Sequence, residues 1–322
     1  MDQQIERKCS ELLEYYRVLA SGFKMASTEI ILACAGIYQA AGVQPDLEKV
    51  EACKKLLKSK AGVLSNFRGS DEPLIISKMA LSDDPALYFE KLEKNYQGLK
   101  GFFSGEQTVV AAMILAEQGA CAEGLAEKTK QIYKEMKEAH PWLTSEEDLP
   151  FAALMAVSGR DAAAVYAEAE EIYTRLKGNL RADKNTLQML SHILAVRSGR
   201  AEEKCEKLCA LAGGLQAAKR SFGSWSRLAI LGILADSGLP TDTLIGHICE
   251  AEDYLKEQKP FHGIFGVGSD CRRMFAVQMV QASFSGEDNL GVSAILTASI
   301  ELAIITMILM MIILSSTAAS SH

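Results

Sequence analysis

An apolar segment that ends in glycine recurs along this chain at a nearly constant interval. It is clearest at 109–119, and related segments end at Gly159, Gly199 and Gly238. From Gly119 onward the four glycines are 40, 40 and 39 residues apart. A fixed period in this range is the signature of a helical repeat protein, in which each unit packs against its neighbours. No other feature of the sequence constrains the fold as strongly.

A charged, amphipathic segment follows these glycines. Segments 125–136 and 163–176 each carry an Ile-Tyr pair, and the two pairs are 40 residues apart. The links between apolar and charged segments are only a few residues long, which forces the two helices to run antiparallel. Glycine after the last apolar turn suits a left-handed helix C-cap. We therefore predict helical hairpins in which each repeat glycine has a positive φ.

The predicted fold is an all-α solenoid of about six to seven antiparallel helical hairpins with a period near 40 residues. No sustained alternation of apolar and polar residues indicates strands. The body of the chain contains no linker rich in Pro, Gly or Ser that would mark a domain boundary. We predict one helical-repeat domain at 1–290, opened by a capping helix near 5–23, and an apolar helix with a small-polar tail at 291–322.

Polar residues before the apolar segments predict where helices begin. Asp71 and Asp84 stand just before prolines, and both are expected to be helix N-caps. Ser145 with Asp148 resembles a capping box. We expect Asp270 to cap a last short helix in the same way.

The composition excludes several classes of function. A formal net charge of −7 and an isoelectric point near 5.4 argue against nucleic acid as a partner, since phosphate binding needs a clustered basic face. The first residues are polar and show no secretory signal. The eight cysteines contain no Cys-x-x-Cys pair, which favours free thiols in a reduced cytoplasm. The histidines lack metal-ligand spacing, so we predict no metal site and no cofactor.

The stretch 261–270 is the most suggestive for ligand binding. It is a glycine-rich loop that leads into a helix, and free backbone N–H groups at such a position bind anions. The loop 67–73 carries a similar Gly-Ser-Asp sequence before its own helix. The alternative interpretation is a repeated capping device. The candidate binding residues of the two loops are Arg68, Gly69, His262, Gly266, Gly268, Asp270 and Arg272.

The loops that lead into the apolar helices also share a phenylalanine followed closely by glycine. They read Phe67-Arg68-Gly69, Phe103-Ser104-Gly105, Phe222-Gly223 and Phe265-Gly266. We expect the phenylalanine to fill the gap between successive hairpins. The alternative is that these loops line one edge of the array and form a ligand-binding ridge.

The order of these elements resembles a known family. An opening amphipathic helix, a short alanine-rich helix, a lysine-rich helix that leads to Phe67-Arg68-Gly69, and an Ala/Ile/Met-rich C-terminus are similar to a bacterial family of about this length. Its members are described only as a domain of unknown function. The resemblance implies an all-helical protein and supplies no catalytic residues.

The predicted function is a non-enzymatic scaffold that binds an unidentified protein partner, because stacked hairpins offer a continuous surface and no catalytic constellation stands out. Catalytic residues are unassigned. The alternative is an α/α-type enzyme or a small-anion-binding protein, with a pocket formed by loops 67–73 and 261–270.

The C-terminal segment adds a possible membrane partner. Val292 to Leu314 contains 23 residues, of which only Glu301 is charged. At about 1.5 Å per residue such a helix spans roughly 34 Å, enough for a hydrocarbon core of about 30 Å. No Lys or Arg follows Arg273 to anchor it. Two interpretations stay open: a tail that anchors a cytoplasmic body to the cytoplasmic membrane, which we favour, and a final helix buried along the array.

Overall fold

The computed structural model describes residues 1–62, 65–101, 104–118, 124–222, 225–263 and 266–284. Within these ranges the secondary structure is α-helices and short 3-10 turns, without strands, which confirms the all-α prediction. The α-helices are, in order, α1 Gln3–Gly22, α2 Thr28–Ala41, α3 Leu47–Lys60, α4 Glu72–Leu81, α5 Pro85–Leu99, α6 Glu106–Ala116, α7 Leu125–Ala139, α8 Leu149–Val157, α9 Ala162–Asn179, α10 Lys184–Ala195, α11 Ala201–Ala217, α12 Trp225–Leu228, α13 Thr241–Lys256 and α14 Ser269–Phe284.

The chain forms two compact units. One contains the described residues from Leu12 to Ala162, and we call it the 12–162 unit. The other contains Met1–Glu11 with the described residues from Ala163 onward, and we call it the 163–284 unit.

In the 12–162 unit, short buried helices alternate with longer amphipathic ones. The buried helices are α2, α4, α6 and α8; in α2, for example, ten consecutive residues from Ile30 to Gln39 are buried. The intervening α3 buries only Val50, Cys53 and Leu57, a spacing that lies on one face of a helix. Helix α2 contacts α4 and α6 contacts α8, while α3, α5 and α7 contact one another in order. The core therefore lies among the apolar helices.

The 163–284 unit repeats this alternation. Helix α10 contacts the 3-10 turn Ala229–Leu234, which in turn contacts α14, and the amphipathic α11 contacts α13. The beginning of α1 also belongs to this unit, because the Ser10 and Tyr254 hydroxyls are 2.9 Å apart. The sequence predicts that α1 caps the N-terminal end of the array. The repeat pattern does not predict the contact between Ser10 and Tyr254, which are 244 residues apart in sequence.

Several predicted helix ends are confirmed. The Asp84 carboxylate accepts hydrogen bonds from the backbone N–H groups of Ala86 and Leu87. Ser145 and Asp148 form a capping box before α8. Gly159 and Gly199 have φ values of 73° and 95°, in the left-handed region that glycine occupies without strain.

The predicted cap at Gly119 lies outside the described residues and stays a prediction. Three other predicted helix ends differ from the structure. Gly238 is outside the left-handed region. Asp71 stands before α4, but its side chain makes no capping hydrogen bond, because its own backbone is helical (φ −83°, ψ −8°) and a capping residue is extended. Asp270 does not cap α14, because the helix already begins at Ser269 and Asp270 faces arginines.

The segment that ends at Gly238 is the other departure from the prediction. It forms a four-residue α-helix followed by the 3-10 turn Ala229–Leu234. Gly232 lies in this turn, where a Cβ atom would come within 2.7 Å of Ile193 Cγ2. Glycine permits this close approach, and it also weakens the α-helix.

Candidate functional site

Neighbouring loops of the 12–162 unit are joined by glutamates. The Ser70 hydroxyl donates a hydrogen bond of 2.9 Å to Oε1 of Glu106, which is the first residue of α6. The Gly105 N–H donates a 3.1 Å hydrogen bond to Oε1 of Glu146, which precedes α8. Each glutamate therefore fixes the preceding loop to the loop that contains the glutamate. We call residues 21–27, 65–73, 104–106 and 140–148 the loop edge of this unit.

The carboxylates of this edge come so close to two glycines that a larger residue there would displace the glutamate side chains. A Cβ atom on Gly69 would lie 2.7 Å from Glu106 Oε1, and one on Gly105 would clash with Glu146. The nearby Phe67 is buried and makes edge-to-face ring contacts with Phe89 and Tyr96. This confirms the packing role predicted for that phenylalanine. Within this unit the loop before α4 is joined to the start of α6, whereas the other two loops of the ridge interpretation belong to the 163–284 unit, so that interpretation stays a prediction.

A cleft of about 670 Å³ opens at the α1 end of the loop edge. It lies between the end of α1, the start of α2, one side of α3 and the loop before α4. Its walls are formed by Ser21, Gly22, Phe23, Lys24, Met25, Ala26, Ser27, Ile30, Glu51, Lys54, Lys58, Gly69, Ser70, Glu72 and Pro73.

The apolar part of the cleft is formed by Phe23 and Ile30, which are buried, together with Pro73. Met25 stands at the cleft with 99% of its surface exposed. A fully exposed methionine is a flexible apolar group without packing of its own, which is typical of adaptable binding surfaces.

The charged part of the cleft is dominated by lysines. Lys54 is held in place: its ammonium group donates to the Gly22 carbonyl at 2.5 Å, pairs with Glu51 at 2.7 Å and lies 4.9 Å from the centre of the Phe23 ring. Lys24 and Lys58 are exposed, and among the described residues neither ammonium group forms an ion pair within 4 Å, although the charge of Lys58 helps to lower the pKa of Glu51. Two cationic groups at the cleft are therefore available to an anionic ligand.

A buried carboxyl group lies directly behind the cleft wall. Asp71 is fully buried, its Oδ1 is 3.3 Å from the Ser70 hydroxyl, and its Oδ2 has no hydrogen-bond partner among the described residues. Burial, and then the charge of Glu106, raise the pKa of Asp71 to about 8. Asp71 is therefore mostly protonated at neutral pH.

The two predicted anion-binding loops belong to different units. Arg68 and Gly69 are in the 12–162 unit, where the Arg68 guanidinium lies 3.7 Å from the Glu72 carboxylate and Gly69 lines the cleft. In the 163–284 unit, His262 is exposed. A Cβ atom on Gly266 would lie 2.5 Å from the Phe261 carbonyl oxygen, so glycine is required there for the turn.

The remaining predicted residues take part in the start of α14. The Gly268 carbonyl accepts the Arg272 N–H as the first backbone bond of the helix. The Arg272 side chain lies 3.4 Å from Glu252, which is buried and also forms a two-point pair with Arg273 at 2.9 and 3.0 Å. Asp270 is 3.5 Å from Arg227 and 3.6 Å from Arg273. These side chains hold the loop and the helix together.

One protein family matches residues 15–310 of the 322, and its description is "Protein of unknown function (DUF4003)". The chain belongs to this family. The membership confirms the resemblance found in the sequence. No curated protein and no solved structure matches the chain.

Family membership assigns no chemistry, so the function has to be argued from the side chains. In the described part of the chain, no three His, Cys, Asp or Glu residues are grouped as a metal site requires. Burial raises the pKa of the Cys205 thiol to about 11 and that of Cys34 to about 12, so neither is a thiolate at neutral pH. These two cysteines are therefore poor nucleophiles.

Sequence reasoning did not find the lysines of the cleft or the carboxyl pair behind it. Lys58 and Lys24 are 34 residues apart in sequence, outside the repeat spacing, and no pattern connects them. The two glutamates of the loop edge did carry a signal, because Glu106 and Glu146 are 40 residues apart, which is the interval between the repeat glycines.

Proposed function

We propose that this member of the family is a non-enzymatic interaction protein, and that its hairpins stack as a solenoid with a period near 40 residues. The order of contacts supports stacking within each unit: α3, α5 and α7 contact in sequence, and so do α10, the 3-10 turn and α14. Such scaffolds commonly bind proteins through loops along one edge. The loop edge of the 12–162 unit is the proposed binding surface.

The observation that carries the proposal is Trp142, which is 97% exposed on a loop that is firmly held. The Lys137 ammonium group donates 2.7 Å hydrogen bonds to the carbonyls of Pro141 and Thr144. The Thr144 hydroxyl donates to the Met136 carbonyl at 3.1 Å. The backbone that carries this tryptophan is already ordered, so covering the side chain costs little additional backbone freedom.

Exposed tryptophans of this kind are among the residues that contribute most to protein–protein binding. A preformed loop lowers the entropic cost of association. Met25, at the other end of the same edge, is exposed to the same degree. The partner surface is therefore expected to extend along the loops, from the cleft to Trp142.

The test is capture of cross-linked partners from native lysate by the full chain and by single variants. Proteins retained by the wild type should be lost with Trp142→Ser and reduced with Met25→Ser. Leu87→Ser is the matched control, because Leu87 is a large apolar residue that is exposed on α5, outside the loop edge. Equal retention by all variants would refute the assignment of the loop edge.

The expected membrane tether at 292–314 lies outside the described residues. None of the helices that the structure describes is long and apolar enough to cross a membrane. The tether, and with it the attachment of a cytoplasmic body to the cytoplasmic membrane, stays a prediction. So does the alternative of an enzyme or anion-binding protein with a pocket formed by loops 67–73 and 261–270.

A further inference from the structure

We propose that the cleft between α1, α3 and the loop before α4 binds an acidic peptide segment that carries one large apolar side chain. This inference rests on the proposed function, because it names the kind of partner segment that the loop edge accepts. It follows from three independent properties of the cleft: its charge, its apolar wall and its shape.

The first property is a basic helix in an acidic chain. Helix α3 carries five lysines and two glutamates, whereas the whole chain has a net charge of −7. Its lysines are Lys49, Lys54, Lys55, Lys58 and Lys60. A local concentration of positive charge on an otherwise acidic protein attracts acidic partners and orients them on approach.

Only some of the lysines of this helix line the cleft. Lys54 and Lys58 line it, and Lys24 joins them from the loop after α1, whereas Lys55 does not line it. Lys54 is paired with Glu51, so its charge is largely compensated. Among the residues that the structure describes, neither Lys24 nor Lys58 forms a close ion pair of this kind, and Lys58 acts on Glu51 only through its more distant charge. Two carboxylates spaced along a peptide can therefore pair with these two ammonium groups.

The second property is the apolar wall of the cleft. Phe23, Ile30 and Pro73 lie on the cleft surface together with the exposed Met25. A cleft of about 670 Å³ is within the size range of small-ligand pockets, and it can take one large side chain with the adjoining backbone. Methionine adapts its shape to such a side chain.

The shape favours a peptide over an anionic bilayer. The apolar atoms form the wall of a concave site, where a flat lipid surface would contact the outer lysines and leave the wall uncovered. An extended segment can enter the cleft with its apolar side chain against the wall and its carboxylates beside Lys24 and Lys58.

The test uses the full chain and fluorescein-labelled twelve-residue peptides, with binding measured by fluorescence anisotropy. One peptide has glutamates on both sides of a central leucine, a second has glutamine in place of glutamate, and a third has serine in place of leucine. The first peptide should bind, and the other two should bind about tenfold more weakly or not at all.

Lys58→Glu and Lys55→Glu provide a matched pair. Both substitutions reverse one charge on α3, but only Lys58 lines the cleft. Lys58→Glu should weaken binding of the first peptide about tenfold, and Lys55→Glu by less than about threefold. Equal losses in both variants would overturn the cleft assignment, because they would show a diffuse electrostatic effect.

Two further probes separate the other possible ligands. The first probe is vesicles of phosphatidylserine and phosphatidylcholine. If these vesicles bind the wild type in a Lys58-dependent manner and the peptides do not bind, the ligand is a membrane surface and the inference is overturned. Full displacement of the peptide by millimolar inorganic phosphate would indicate a small-anion site and would also overturn it. The expected result is neither.

The inference and the proposed function fail in different ways. If no peptide binds while partner capture still depends on Trp142, the cleft assignment is wrong and the interaction function stands. If the acidic peptide binds in a Lys58-dependent manner and no captured protein depends on Trp142, the cleft is supported and the rest of the loop edge is refuted.

Discussion

Replacing Asp71 by asparagine should remove a pH dependence from the stability of this protein. Asp71 is fully buried, and burial and the neighbouring Glu106 raise its pKa from 3.8 to about 8. In the unfolded chain the same carboxyl loses its proton near pH 4. Between these two values the folded state binds one more proton than the unfolded state, so the folded state loses stability as the pH rises.

The size of the effect follows from the same two values. Over this interval each pH unit lowers the free energy of unfolding by about 1.4 kcal/mol. Between pH 5.5 and 7.5 the wild type should therefore lose roughly 3 kcal/mol through Asp71 alone. Asparagine cannot ionise, so the variant lacks this contribution and should gain stability relative to the wild type over the same interval.

The measurement is urea unfolding of the full chain, followed by circular dichroism at pH 5.5 and pH 7.5. The free energy of unfolding of the variant minus that of the wild type should increase by roughly 3 kcal/mol from pH 5.5 to pH 7.5. Contributions from other groups are the same in both proteins and cancel in this difference. Asp83→Asn is the control, because Asp83 is exposed and its substitution should leave the difference unchanged. A constant difference for Asp71→Asn would show that Asp71 is ionised in the folded protein.

Three further changes test the fold and the tail. Alanine at Gly159 or Gly199 should cost roughly 1 kcal/mol each in urea unfolding, because φ is positive at both, and alanine at Gly238 should cost less. Lys204→Ala should cost roughly 3 kcal/mol in the same assay, since it leaves Glu168 and the Leu194 and Arg197 carbonyls without their buried ammonium partner; a loss below 1 kcal/mol would contradict this. Carbonate extraction should leave the full chain in the membrane fraction and release a chain that ends near Gly286; a full chain that stays soluble, with a truncated chain that unfolds, would refute the anchor.

The helices could be predicted because the repeat combines two signals at every unit. Alternation between a wholly apolar segment and an amphipathic one separates α2 from α3, and a proline or a polar cap marks where α5 and α8 begin. Local signals failed where a contact distant in sequence decides the conformation. Gly232 packs on Ile193 and lies in a 3-10 turn, and the beginning of α1 binds α13.

In the candidate site, too, some contacts could be predicted from the sequence and others could not. Three bonds have separations near the interval between the glycines: Ser70 with Glu106, Gly105 with Glu146, and Lys78 with Glu117 are 36, 41 and 39 residues apart. A search of the sequence for complementary charged residues at that interval would have found Lys78 with Glu117. It would also have found Arg197 with Asp236, which are 39 residues apart.

The cleft offers no such regularity. Glu106 and Glu146 bond to the loops before theirs, whereas Glu72, at the start of α4, lies 3.7 Å from Arg68 of its own loop. Lys58 on α3 and the loop residues Lys24 and Met25 are exposed at the cleft. Where a carboxylate of one loop is bonded to the preceding loop, its charge is used in holding the fold together, and where no such bond forms, charged and apolar side chains stay available to a partner. The groups of the cleft are therefore brought together by the packing of α1, α3 and the loop before α4, which the interval between the glycines does not predict.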